Sequence, residues 1–268
     1  MPTSGKKGTH SSSKKGSKKS TGGPPAQAMP AASSILLETA FKSFSGSKYR
    51  VIETNLVDAY EKSAGKGGVI SLKAMATKAV PVGDNFGGTA RKAAKLSIAK
   101  APTENFTDLK NLIASLTPDK TMKNHKPPIM TDEKSNRVTE EKRNVRVRAF
   151  LYAASREDDN DFHLIIGRSP NVKEPMYMTM ELSGLPPSGN ASHAKLKAAR
   201  TAYKDFFGAA LPGFTYKFYK PPVPVEIEGS LFFDMSHAQG NTPGPQPLRA
   251  NMPTIWEVHP ITKIVLEP

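Results

Sequence analysis

Residues 224–233, PVEIEGSLFF, place Val225, Ile227, Gly229, Leu231 and Phe233 on alternate positions, the period of a strand with one face buried. The run ends in Asp234 and His237, and TIWEVHP follows at 254–260. Upstream, DNDFHLIIG at 159–167 opens with Asp161 and His163, whose neighbours Phe162, Leu164 and Ile166 form the apolar face of a second strand. Three histidines and three carboxylates (His163, His237, His259, Asp161, Asp234, Glu257) therefore lie at strand ends.

Working outward, VRVRAFLYAA at 145–154 alternates Val145, Val147, Ala149 and Leu151 against Arg146, Arg148, Phe150 and Tyr152, as a first strand should. MYMTMELSG at 176–184 reads as a third strand, stopped by Gly184, Pro186 and Pro187. Next, 193–208 carries Leu196, Ala199, Tyr203 and Phe206 at helical spacing, with Asn190 or Ser192 as cap and Gly208 as terminator. Two further strands, at 223–234 and 254–267, flank a loop of about twenty residues, longer than a hairpin needs. Strand, strand, strand, helix, strand, strand is the order of the OB-fold, so the expectation for 143–268 is mainly β with one helix: a five-stranded OB-like Greek-key barrel. Gly229, in mid-strand, reads as a bulge or tight bend.

The net charge of +14 is unevenly spread. Residues 1–142 carry 24 Lys and Arg against 12 Asp and Glu, and residues 143–268 carry 14 against 12. Residues 1–30 hold six lysines and no acid among Ser, Gly, Pro and Ala, and are expected to be a disordered basic tail. Non-specific nucleic-acid contact, if there is any, belongs to that tail, because the nearly neutral remainder offers no phosphate-tracking surface. Residues 31–142 read as a linker with short helical fragments. Of these, Leu109, Leu112, Ile113 and Leu116 have helical spacing behind Thr107 or Asp108 as cap. There is no cysteine, so neither a disulfide nor a thiolate metal site is available. No apolar run is long enough to span a bilayer and no signal-peptide core follows the basic start, so the expected compartment is the cytoplasm.

EDDNDFHLIIG, ELSGLPP, GSLFFDMSH and WEVHPITKI together resemble a group of mostly uncharacterised bacterial proteins that share a D-x-H-L strand, an FFD-x-x-H strand end and a W-E-x-H-P strand. The resemblance covers about residues 120–268. It implies relatedness and brings no activity with it.

The residues themselves allow two readings of the cluster. Asp161 with His163, and Glu257 with His259, are spaced i, i+2 and so share a strand face. His163, His237, His259 and Asp161 would suit a divalent metal such as zinc, manganese or iron, with Glu257 or Asp234 as the base of a metal-assisted hydrolysis. Alternatively, the same groups hydrogen-bond one another and tie the long loop down. A binding module for nucleic acid or sugar would use Trp256, Arg146 and Arg148, although the alternation of Trp256 with Val258 favours the core.

Overall fold

The computed structural model describes Met1 and residues 28–46, 48–58, 83–238, 240 and 242–268. Nearly all of the tail expected at 1–30 lies outside the described residues.

The chain is mainly β with few helices, and its strands form one eight-stranded sheet rather than the five expected. They are β1 (Ile35–Lys42), β2 (Lys48–Thr54), β3 (Thr103–Phe106), β4 (Asn144–Arg156), β5 (Phe162–Gly167), β6 (Tyr177–Leu182), β7 (Lys217–Phe233) and β8 (Trp256–Leu266). The first three come from the region expected to be linker. β1 and β2 form an antiparallel pair, and Arg50–Glu53 of β2 lie against Lys217–Lys220 of β7. β3 runs parallel to the start of β4.

The five strands read from 143–268 all form. β4 pairs with β5 and β7, β5 with β6, β6 with β8 in parallel, and β8 with β7, so each is bonded to two of the others. The register of β7 on β8 shifts on both sides of Gly229, where a Cβ would meet the Pro260 carbonyl oxygen and the Val258 side chain. The glycine thus marks a bulge, as its mid-strand position suggests.

The described helices are α1 (Lys92–Lys95), α2 (Leu109–Ala114), α3 (Asp119–Lys123), α4 (His193–Phe207) and α5 (Gln246–Arg249). α4 matches the spacing: Leu196, Ala199, Tyr203 and Phe206 are buried and Gly208 ends the helix at φ 50°. Ser192 is its N-cap, but its hydroxyl donates to the Leu96 carbonyl at 2.6 Å instead of capping. In α2, the Asp108 carboxylate accepts from the Lys110 N–H at 2.7 Å, the cap expected from sequence.

Alternation gives the sheet two covered faces. Val145, Val147 and Leu151 of β4, Phe162, Leu164 and Ile166 of β5, Met178, Met180 and Leu182 of β6, and Leu231 and Phe233 of β7 join Trp256 and Val258 of β8 in the main core. Leu109, Leu112 and Met122 from the expected linker pack in the same core. The opposite face is not solvated. Over part of it Ile52, Tyr152, Ile165, Tyr177, Tyr216, Leu248 and Met252 make a second cluster.

Buried cations fasten residues 84–97 and 136–141 over the rest of that face. Arg91 binds both oxygens of Glu141 at 2.7 Å, and Glu141 also accepts from the Phe233 N–H at 2.8 Å. Arg137 donates to the carbonyls of Ala94 (2.8 Å), Ser97 (2.9 Å) and His259 (2.6 Å). Arg200 of α4 reaches Asp84 at 2.9 Å and the Leu182 carbonyl at 3.1 Å. Each guanidinium satisfies backbone groups that would otherwise be buried unpaired. No helix among the described residues is long and apolar enough to cross a membrane.

Candidate metal centre

The second face of β5, β6 and β8 carries charge where the first carries the core. His163 and Glu181 are cross-strand partners in the β5–β6 register, and Glu257 stands opposite Thr179 where β8 runs parallel to β6. Alternation adds Asp161 beside His163 and His259 beside Glu257. Glu181 thus lies between the two histidines.

His163 Nδ1 is 2.5 Å from Glu157 Oε1 and 3.6 Å from Glu181 Oε1, and its Nε2 is 3.8 Å from Asp58 Oδ2. His259 Nδ1 is 2.6 Å from Glu181 Oε2 and 3.6 Å from Glu257 Oε2, while its Nε2 is 3.3 Å from Asp161 Oδ2. The other Asp161 oxygen accepts from the Gly184 N–H at 2.6 Å. Lys95 Nζ closes the rim, 3.0 Å from Asp159 and 3.9 Å from Asp161. Asp58 accepts from the Tyr216 hydroxyl at 2.8 Å and from the Gly244 N–H at 2.6 Å, so the long loop before β8 does reach the cluster.

His163, His259 and Asp161 are fully buried, and the Glu157 side chain is 21 % exposed. Burial is the largest influence on every one of the shifted groups in this cluster. It raises the Glu181 carboxyl well above the ordinary range, helped by Glu157, and raises Glu257 likewise, helped by Glu181 and Asp234. Asp159 is pushed up to about 6 by burial and by Asp161. For Asp161, burial is outweighed by His259, Lys95 and the Gly184 N–H, and its pKa falls. Burial alone would strip the imidazoles of their proton, yet Glu157 at His163 and Asp161 with Glu257 at His259 hold both above the usual value.

Two sets of donor atoms converge: Glu157, His163 and Glu181, and Asp161, Glu181 and His259, each set lying within 4.8 Å. Asp161 Oδ2, Glu181 Oε2, His163 Nε2 and both ring nitrogens of His259 are buried without a hydrogen-bond partner. His163 Nδ1 and Glu157 make a hydrogen bond, whereas Asp161 and Glu181 approach opposite ring nitrogens of His259 without hydrogen-bond alignment.

The structure thus brings Asp161, His163, His259 and Glu257 together, on a sheet face beside Lys95 and Arg137 rather than at an open strand-end pole. His237 and Asp234 sit beside this cluster and outside both donor sets. His237 Nε2 is 3.5 Å from Asp234, and the imidazole's charge helps lower the pKa of Asp58. Asp234 caps a single turn, accepting from the Ser236 N–H at 2.8 Å.

Of the three residues expected to form a binding surface, Trp256 is withdrawn into the core and the two arginines lie on the exterior of the sheet. Trp256 is buried in the main core, edge-on to Phe233, and its indole N–H donates to the Thr117 carbonyl at 2.7 Å. Arg146 and Arg148 pair across the β4–β7 ladder with Glu228 at 2.6 Å and Glu226 at 3.0 Å.

Sequence reasoning passed over Glu181, Glu157, Asp58 and Lys95. Glu181 had a signal: it is the one acid in the strand YMTMEL, on the face of Tyr177 and Thr179. Asp58 and Lys95 had none, because only the fold carries them to the sheet. In comparisons with family models, curated proteins and solved structures, nothing matches this chain.

Proposed function

We propose that the buried cluster is a divalent-cation centre and that the protein is a metal-assisted hydrolase on an OB-like frame. The frame rests on the mutual pairing of β4, β5, β6, β8 and β7, with α4 between β6 and β7. The observation that carries the metal reading is the convergence of Asp161, Glu181 and His259, in which Asp161 Oδ2, Glu181 Oε2 and both His259 ring nitrogens are buried without a hydrogen bond, beside the second set of Glu157, His163 and Glu181. A divalent ion held there would supply Lewis acidity and an acidified water. This chain's own residues do the rest. Such an ion would be held by Asp161, Glu181 and His259 or by Glu157, His163 and Glu181, and Glu157, with 21 % of its side chain exposed, is the most exposed of these residues. Glu257, raised by burial, is the base beside His259.

A second reading has its own support. The contacts of His163 with Glu157 at 2.5 Å and of His259 with Glu181 at 2.6 Å have the length of charge-assisted hydrogen bonds, and a purely structural network of imidazolium and carboxylate would contain them. Elemental analysis of the purified full-length chain separates the two. A metal centre yields a bound divalent ion that a chelator removes with a drop in Tm, and His259→Ala no longer retains it. A chain that stays metal-free in excess Zn2+ and Mn2+, with unchanged Tm, is a hydrogen-bonded network.

A further inference from the structure

We infer that the centre holds two divalent cations bridged by the Glu181 carboxylate. This rests on the metal reading above and goes past it in number and arrangement. The two donor sets share one residue, Glu181. Its two oxygens face different imidazoles, Oε1 at 3.6 Å from His163 Nδ1 and Oε2 at 2.6 Å from His259 Nδ1. Each set then has its own imidazole and its own terminal carboxylate, Glu157 on the β5 side and Asp161 on the β8 side. Neither set of mutually close donors among the described residues contains both imidazoles, so a single ion engages one set only.

A bridging carboxylate with one His and one carboxylate on either side leaves room on both ions for water, as two-ion hydrolytic sites require.

The test uses the full-length chain, freed of metal by chelation and titrated with Mn2+ alone. Calorimetry or equilibrium dialysis should find about two Mn2+ per chain, and the electron paramagnetic resonance spectrum should show exchange coupling between them, as expected of ions held by one carboxylate. Glu181→Gln should abolish the coupling, and Glu157→Gln and Asp161→Asn should each cut the stoichiometry to about one. If the Glu181→Gln variant fails to fold, stoichiometry and coupling in the unmodified chain still decide. One Mn2+ per chain, or two without coupling, overturns the bridged pair and leaves the metal centre standing. No tight binding at all overturns both.

Discussion

Among single residues, Gly229 and Glu181 show how one side chain, or its absence, sets the geometry of the centre. Gly229 lets β7 approach β8 at the turn of chain that carries His259 and Pro260. Gly229→Ala would drive a methyl group into the Pro260 carbonyl, and overpacking of this kind costs about 1–3 kcal/mol. Thermal denaturation should show that loss, whereas a variant as stable as the parent would mean that the bulge relaxes freely. Glu181 works by presence: it is a charged group at a strand position whose register partner is His163. Its alternation with Tyr177 and Thr179 was readable, but that this face would be covered was not.

The contacts between elements are carried by buried guanidinium and ammonium groups, and one of them makes a pH prediction. Asp84 anchors its segment to α4 through Arg200 at 2.9 Å and Lys204 at 2.8 Å. Burial tends to raise its carboxyl, but these hydrogen bonds and charges prevail and its pKa is lowered. A depressed carboxylate stabilises the fold above its unfolded pKa, and that contribution disappears as pH falls through the folded value. The Tm gap between the parent chain and Asp84→Asn should therefore be full at pH 7 and close as acid protonates the carboxylate. A gap that persists or widens in acid would show that Asp84 acts through packing and not through charge.

For the molecule as a whole, the region read as linker is part of what holds the fold. A fragment beginning at Thr117 would lack Arg91, leaving Glu141 buried without its ion pair, and would lose Lys95 and the core residues Leu109 and Leu112. Removing one partner of a buried pair costs about 3–5 kcal/mol, a large share of the roughly 5–15 kcal/mol that stabilises a domain. Such a fragment should unfold without a cooperative transition in calorimetry. A sharp transition near that of the full chain would restore the linker reading for residues 31–116.

The sequence by itself determined the five strands β4 to β8 and the long helix, though not β1 to β3, because apolar residues at period 2 or 3.6 must be placed on one face wherever the chain later goes. It also determined that Asp161 with His163 and Glu257 with His259 would each share a face, since that follows from pleating alone. Only the tertiary structure decided which face was buried, and by what. Apart from the helix legible at Leu109–Leu116, residues 84–141 show no long apolar period and are fixed by Arg91, Arg137 and Arg200 reaching backbone carbonyls and acids far away in the chain. Hydrogen bonds between residues fifty or a hundred positions apart leave no period in a sequence. For the same reason Asp58 and Lys95 meet the histidines only once the chain has closed over the sheet, whereas the inward side of Trp256 was already legible in its alternation with Val258.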